Sequence, residues 1–193
     1  MAGEKTDEKT MSREERIWAP WRIGYIVGES RSAEELPVGQ LLPGSESDCF
    51  LCRCAATTDQ RKALVVYRDE LVLTVLNRYP YNNGHLLVAP LRHCGRLEAL
   101  SQQEDNALLQ ALKRFVALLE KLLRPEGFNI GLNLGRVAGA GLPGHLHWHV
   151  VPRWGGDTNF MPVLAGVRVV PQSLEAVWEL LAEELSKQQA DGG

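Results

Sequence analysis

An α+β fold, one antiparallel sheet with its helices on one face, is predicted by three features of this sequence. Five short stretches carry strand patterning, one long amphipathic segment interrupts them, and a second amphipathic segment lies near the C-terminal end. The 193 residues suit one domain with decorated ends. A chain of that size buries about 70% of its unfolded surface and needs no disulfide framework.

Residues 1–16 are charged and polar without an apolar run, and read as a disordered tail rather than a secretory leader. Residues 17–48 form an arm and linker: Ile17 to Ile26 is aromatic-rich and too short to fold alone, and 28–48 mixes Gly, Ser, Pro and Glu. The domain proper is 49–193. Its first strands are Ala63 to Arg68 and Leu71 to Leu76, with Asp69-Glu70 as a turn. Turn chemistry fills Tyr79 to Gly84, and a third strand, His85 to Ala89, runs up to Pro90. Ser101-Gln102-Gln103-Glu104 is a capping box. Behind it Leu108, Leu112, Phe115, Leu119 and Leu122 recur at helical spacing up to Arg124-Pro125. A fourth strand, Phe128 to Leu134, precedes a glycine-rich loop; a fifth runs from His145 to about Pro152; a helix begins near Ser173.

With a net charge of −3 the chain lacks the basic face of a nucleic-acid-coating protein, and no apolar run reaches membrane-spanning length. Its four cysteines stand at 49, 52, 54 and 94. Without an export signal they point to metal or reduced thiols and to a cytoplasmic protein. Cys49-x-x-Cys52 is half of a tetrahedral zinc site; the remaining ligands must come from elsewhere, and buried inert thiols are the competing reading.

The chemistry concentrates in His145-Leu146-His147-Trp148-His149-Val150-Val151. A strand sends alternate residues to one face, so the three imidazoles align there, where each needs a partner once buried. His147, central in the row, suits a nucleophile: a neutral imidazole held with one nitrogen donating leaves the other lone pair for phosphorus. Upstream, Gly139-Ala140-Gly141-Leu142-Pro143-Gly144 matches G-x-G-x-x-G, but a strand rather than a helix follows it. A cradle of backbone amides for phosphate at Gly139, Ala140 and Gly141 is the better use.

These residues resemble the histidine triad (HIT) superfamily of nucleotide-binding proteins and hydrolases. The triad segment matches its signature, and Asn77 to His85 with Ala89-Pro90-Leu91-Arg92-His93 resembles its nucleotide-binding segment. Trp18-Ala19-Pro20-Trp21-Arg22, Ala138 to Gly141 and Pro152 to Pro162 are similar to one branch, the bacterial diadenosine tetraphosphate phosphorylases (ATP adenylyltransferases). The resemblance implies a HIT-like sheet-and-helix protomer that forms a homodimer or homotetramer. It implies His147 as the nucleophile and His149 as the contact to phosphate and leaving group. Asn77 would meet the ribose, Asn133 the phosphate, and Trp154 the substrate, although an indole packing a loop explains Trp154 as well. The implied structural zinc would be held by Cys49, Cys52, His93 and His145, and no organic cofactor is implied. The substrates implied are an adenine dinucleoside polyphosphate and inorganic phosphate. Leu142-Pro143-Gly144 departs from the family, whose members often place a Gln or Ser donor there. Three rivals stay open: a HIT hydrolase using water, a non-catalytic nucleotide-binding module, and a zinc hydrolase with the histidine row as ligands.

Overall fold

The computed structural model describes residues 37–157 and 170–191. The tail 1–16, the aromatic stretch 17–26 and Thr158 to Pro162 lie outside the described residues. The elements are a short helix α1 (Phe50–Ala55), strands β1 (Val65–Arg68), β2 (Val72–Leu76) and β3 (Leu86–Pro90), and the long helix α2 (Gln102–Leu123). Strands β4 (Gly127–Leu132) and β5 (Trp148–Arg153) follow, then helix α3 (Leu174–Asp191).

Five strands form one sheet in the order β1-β2-β3-β5-β4, every neighbouring pair antiparallel. The first hairpin turns on Asp69, whose Oδ1 accepts from the amides of Leu71 (2.8 Å) and Val72 (2.7 Å). This aspartate turn closes the hairpin without a glycine. Period-two alternation then splits the sheet into two cores. Val72, Leu76, Leu86, Val88 and Val150 face Phe115 and Leu119 of α2 and Leu181 of α3. Leu73, Val75, Leu87 and Ala89 face the other way, against Cys49, Leu51, Cys52 and Ala55. The expectation of helices on one face is therefore corrected: α1 covers part of the second face. Six residues were too few to show a helical period.

A second correction concerns the histidine strand, which begins at Trp148 rather than His145. The Leu146 amide donates to Cys94 O at 2.7 Å, so the chain ahead of β5 is tied to the loop after β3 instead of continuing the ladder. Among the described residues no helix is long and apolar enough to cross a membrane.

The capping box holds as read: Ser101 Oγ accepts from the Glu104 amide, and the Glu104 carboxylate accepts from the Ser101 amide at 2.8 Å. The same carboxylate accepts from Arg92 Nε (2.6 Å) and Nη2 (2.9 Å), anchoring the 91–93 segment to the start of α2. The Arg92 hydrogen bond holds the Glu104 carboxyl down at about 2, against an ordinary 4.5. A depressed acid stabilises the native state above its unfolded pKa, and that stability is lost as pH falls through the folded value. Because Arg92 is half-exposed, the interaction is worth less than the whole shift implies. Glu104→Gln is expected to cost about 1–3 kcal/mol at pH 7 by urea denaturation. The gap to wild type should close as pH falls from 4.5 toward about 2.

Candidate active site and metal centre

Cys49 caps α1, with its Sγ accepting from the Cys52 amide at 3.5 Å, and Cys52 follows one turn later. His93 arrives on the segment after β3 and His145 on the loop before β5. The donor atoms of Cys49, Cys52, His93 and His145 lie within 4.8 Å of one another. Cys49 Sγ is 3.3 Å from His145 Nδ1, and Cys52 Sγ is 3.3 Å from His93 Nδ1 and 3.7 Å from His145 Nδ1. A tetrahedron with metal–sulfur bonds of about 2.3 Å and metal–nitrogen bonds of about 2.0 Å has edges of about 3.3–3.8 Å. The four residues fit such an ion.

The ring tautomers agree with that fit. His145 Nε2 donates to Pro90 O at 2.9 Å, which leaves the Nδ1 lone pair facing the sulfurs. His93 Nε2 faces Glu46 Oε1 at 3.5 Å, so its Nδ1 also points inward. In the metal-free chain burial pushes the Cys49 thiol up to about 12 and His145 down to about 4. A coordinated cation would reverse the first effect and reinforce the second, since it binds thiolate and neutral imidazole. Two glycines allow the loops to meet. A Cβ on Gly95 would lie 2.9 Å from Gly144 O, and one on Gly144 would lie 3.3 Å from His93 Nε2. Cys54 and Cys94 stand apart, their thiols donating to Ala63 O and Arg96 O.

Next to this cluster is a relay of imidazoles. His147 is buried, and its Nδ1 donates to His145 O at 2.8 Å, leaving the Nε2 lone pair to act. Burial lowers its pKa and the backbone hydrogen bond opposes this, so the ring is neutral at neutral pH. His147 and His149 have ring centroids 5.2 Å apart. The proton on His149 is fixed from behind. The Tyr81 amide (3.0 Å) and Asn77 Nδ2 (3.3 Å) donate to His85 Nδ1, so His85 carries its proton on Nε2. That Nε2 donates to His149 Nδ1 at 3.0 Å, which puts the His149 proton on Nε2. Tyr81 stacks on both rings, at 4.7 Å from His85 and 5.7 Å from His149. The site thus pairs one imidazole offering a lone pair with a neighbour offering a proton.

His85 is the functional residue that sequence reasoning missed. Its only local signal is a histidine after an Asn-Asn-Gly turn; the sheet register, with Leu87 opposite His149, brings it in. Asn77 lies on the same face, but its side chain binds inward, with Oδ1 accepting from the Tyr79 amide at 2.9 Å. Asn133 follows β4 one step beyond the Leu132–Trp148 pair, level with His147. Its Nδ2 is 3.9 Å from where a Cβ on Gly139 would stand. The expected cradle is only partly available. The Gly139 amide donates to Arg136 O and the Ala140 amide to Gly135 O, within a turn that needs glycine at 139 (φ +88°). Among the described residues, the Gly141 amide has no backbone acceptor. Trp154 does not join the cluster. It lies past the far end of β5, about 20 Å along the strand from His147, with its indole N–H donating to Arg124 O at 3.1 Å.

Comparison with known proteins agrees with this geometry. The HIT domain model matches residues 58–156. The AP-4-A phosphorylase of Mycobacterium tuberculosis is 41% identical over 174 residues, 90% of this chain and 86% of that protein. The asymmetrical bis(5'-nucleosyl)-tetraphosphatase of Schizosaccharomyces pombe is 34% identical over 93 residues, 48% of this chain and 50% of that one. A Zn-bound histidine triad family protein from Mycobacterium smegmatis superposes with a TM-score of 0.54 at 29% identity, covering 66% of this chain and 87% of that chain. The HIT domain model covers about half of the chain and the phosphorylase relative aligns over 90% of it: the chain belongs to the HIT family of nucleotide-processing enzymes.

Proposed function

We propose that the protein is a nucleotidyltransferase that cleaves diadenosine tetraphosphate by phosphorolysis, through a nucleotidyl-histidine intermediate at His147. The observation that carries the transfer chemistry is the tautomer pair, a lone pair on His147 Nε2 beside a proton on His149 Nε2. Phosphate as acceptor is supported by the phosphorylase relative, which aligns over 90% of this chain.

His147 Nε2 attacks the phosphorus nearest one adenosine. A phosphorus–nitrogen bond forms, the bridging phosphorus–oxygen bond breaks, and the leaving ATP takes the proton from His149. Inorganic phosphate then attacks the adenylyl-His147, breaking the phosphorus–nitrogen bond and leaving as ADP. The chain's work is positioning and charge stabilisation. Asn133 and the Gly141 amide are assigned to the non-bridging oxygens, and Asn77 to the ribose, reached through a rotation of its amide away from Tyr79. Gly139 and Ala140 shape the turn, and Trp154 keeps a substrate role only if substrate extends to the far end of β5.

We infer zinc as the ion of Cys49, Cys52, His93 and His145, supported by the donor set and by the Zn-bound relative. Bound there, it would supply a structural crosslink between α1 and the segment before β5 that carries His147. A cytoplasmic homodimer or homotetramer belongs to the same reading, to be checked by light scattering and cell fractionation.

Incubation with diadenosine tetraphosphate, with and without phosphate, is the test. ATP plus ADP, formed only with phosphate, is the expected result; no cleavage under either condition would refute the proposal. The tetraphosphatase relative supports a second reading, with water as acceptor. It predicts ATP plus AMP without phosphate.

A further inference from the structure

Three of the four residues at the metal centre are held by their immediate surroundings. Cys49 and Cys52 are buried at the start of α1, where Cys49 Sγ caps the helix. His145 is fully buried, with its Nε2 tied to Pro90 O and the following amide, of Leu146, tied to Cys94 O. His93 differs, being the one member of the four that is not buried. The Glu46 carboxylate facing its Nε2 is 3.5 Å away and exposed. Among the described residues, neither Arg92 nor His93 makes a backbone–backbone hydrogen bond.

What holds the His93 peptide is the side chain before it. Arg92 Nε and Nη2 donate to the Glu104 carboxylate at 2.6 and 2.9 Å, and Nη2 donates again to Ala99 O at 2.7 Å. Glu104 is 5% exposed and locked by the capping box at the head of α2. Helix α2 packs on one face of the sheet and α1 on the other. Neighbouring residues therefore reach to opposite sides, Arg92 to Glu104 of α2 and His93 to Cys52 of α1. A planar guanidinium with two N–H bonds to one carboxylate fixes a direction as well as a distance.

Resting on the reading above, in which Cys49, Cys52, His93 and His145 are zinc ligands, we propose that Arg92 is a positioning residue for the metal centre. Its fork on Glu104 holds His93 where the ion needs a fourth donor. Without the fork a site of three ligands remains.

The test titrates the full, metal-stripped chain with zinc against a chromophoric chelator, at a temperature where circular dichroism shows every variant folded. For Arg92→Gln the zinc affinity is expected to fall by about 10- to 100-fold, the scale of losing an outer support of a metal ligand. Arg92→Lys keeps the charge without the fork, so it should recover only part of that loss, and it preserves the comparison if Arg92→Gln does not fold. With cobalt(II) in place of zinc, the visible spectrum of Arg92→Gln should shift toward that of His93→Ala, a signature of the ligand set rather than of stability. In a His93→Ala chain, adding Arg92→Gln should leave the remaining affinity unchanged. Glu184→Gln is the control for stability alone. It removes another buried carboxylate, paired with Lys121 on the far side of the sheet from α1, and its zinc affinity should match wild type.

Wild-type zinc affinity in Arg92→Gln overturns the proposal. So does a loss of the same size with His93 already removed, which would make Arg92 a support of the fold alone. A wild-type chain that takes up neither zinc nor cobalt(II) strikes instead at the metal reading, whatever stands at 92.

Discussion

Turnover of diadenosine tetraphosphate by His147→Ala is expected to drop by about 10⁴-fold or more, the scale of losing a nucleophile that acts with its neighbours. The variant should remain folded. The lost hydrogen bond to His145 O leaves a buried carbonyl short of a donor, at a cost of about 1–3 kcal/mol. Brief incubation of wild type with substrate, quenching and intact-mass spectrometry should show an added adenylyl group, absent from the variant. Turnover at a wild-type rate in the variant would sink the proposal. The same geometry sets the pH profile. Burial lowers the His147 pKa below the ordinary 6.5, so its lone pair survives as the solution is acidified through that value. The acid limb of kcat/KM should therefore lie below 6.5, and a limb above it would mean that another group limits the rate.

Cys52→Ala is expected to purify without stoichiometric metal and to melt about 10–20 °C below wild type. The ion ties α1 to the loops on either side of β3 and β5, and structural zinc contributes folding energy directly. A loss of about 5 kcal/mol would produce that shift in a chain of this size. Metal content by mass spectrometry and melting by circular dichroism measure both effects. Activity should fall in step with unfolding, because His147 lies two residues beyond His145 and depends on its carbonyl. Chelation that stops turnover while the melting temperature holds would favour a catalytic metal. Metal retention should weaken as pH falls, because binding displaces a proton from the Cys49 thiol, which burial pushes up to about 12.

Local patterns in the sequence were enough for much of this protein. The capping box at Ser101–Glu104 and the heptad-like leucines define α2 because helix contacts close within four residues. Alternation defines the strands for the same reason at period two. Cys49-x-x-Cys52 and His-x-His-x-His named the chemistry because their members are neighbours in the chain. Even so, α1 was too short to show its period, and the strand expected from His145 starts only at Trp148.

Only the tertiary structure could decide the long-range meetings. Cys49 reaches His145 across 96 residues, and His85 reaches His149 across 64. Those contacts depend on sheet order and register, which no window along the chain contains. The fold also assigned the tautomers, since these follow from Pro90 O, His145 O and the Tyr81 amide lying where they do. It tied the Gly139 and Ala140 amides into a turn and carried Trp154 to the far end of β5. Residue types fix which reactions are chemically available; which atoms face one another is fixed by hydrogen-bond register between segments far apart in sequence.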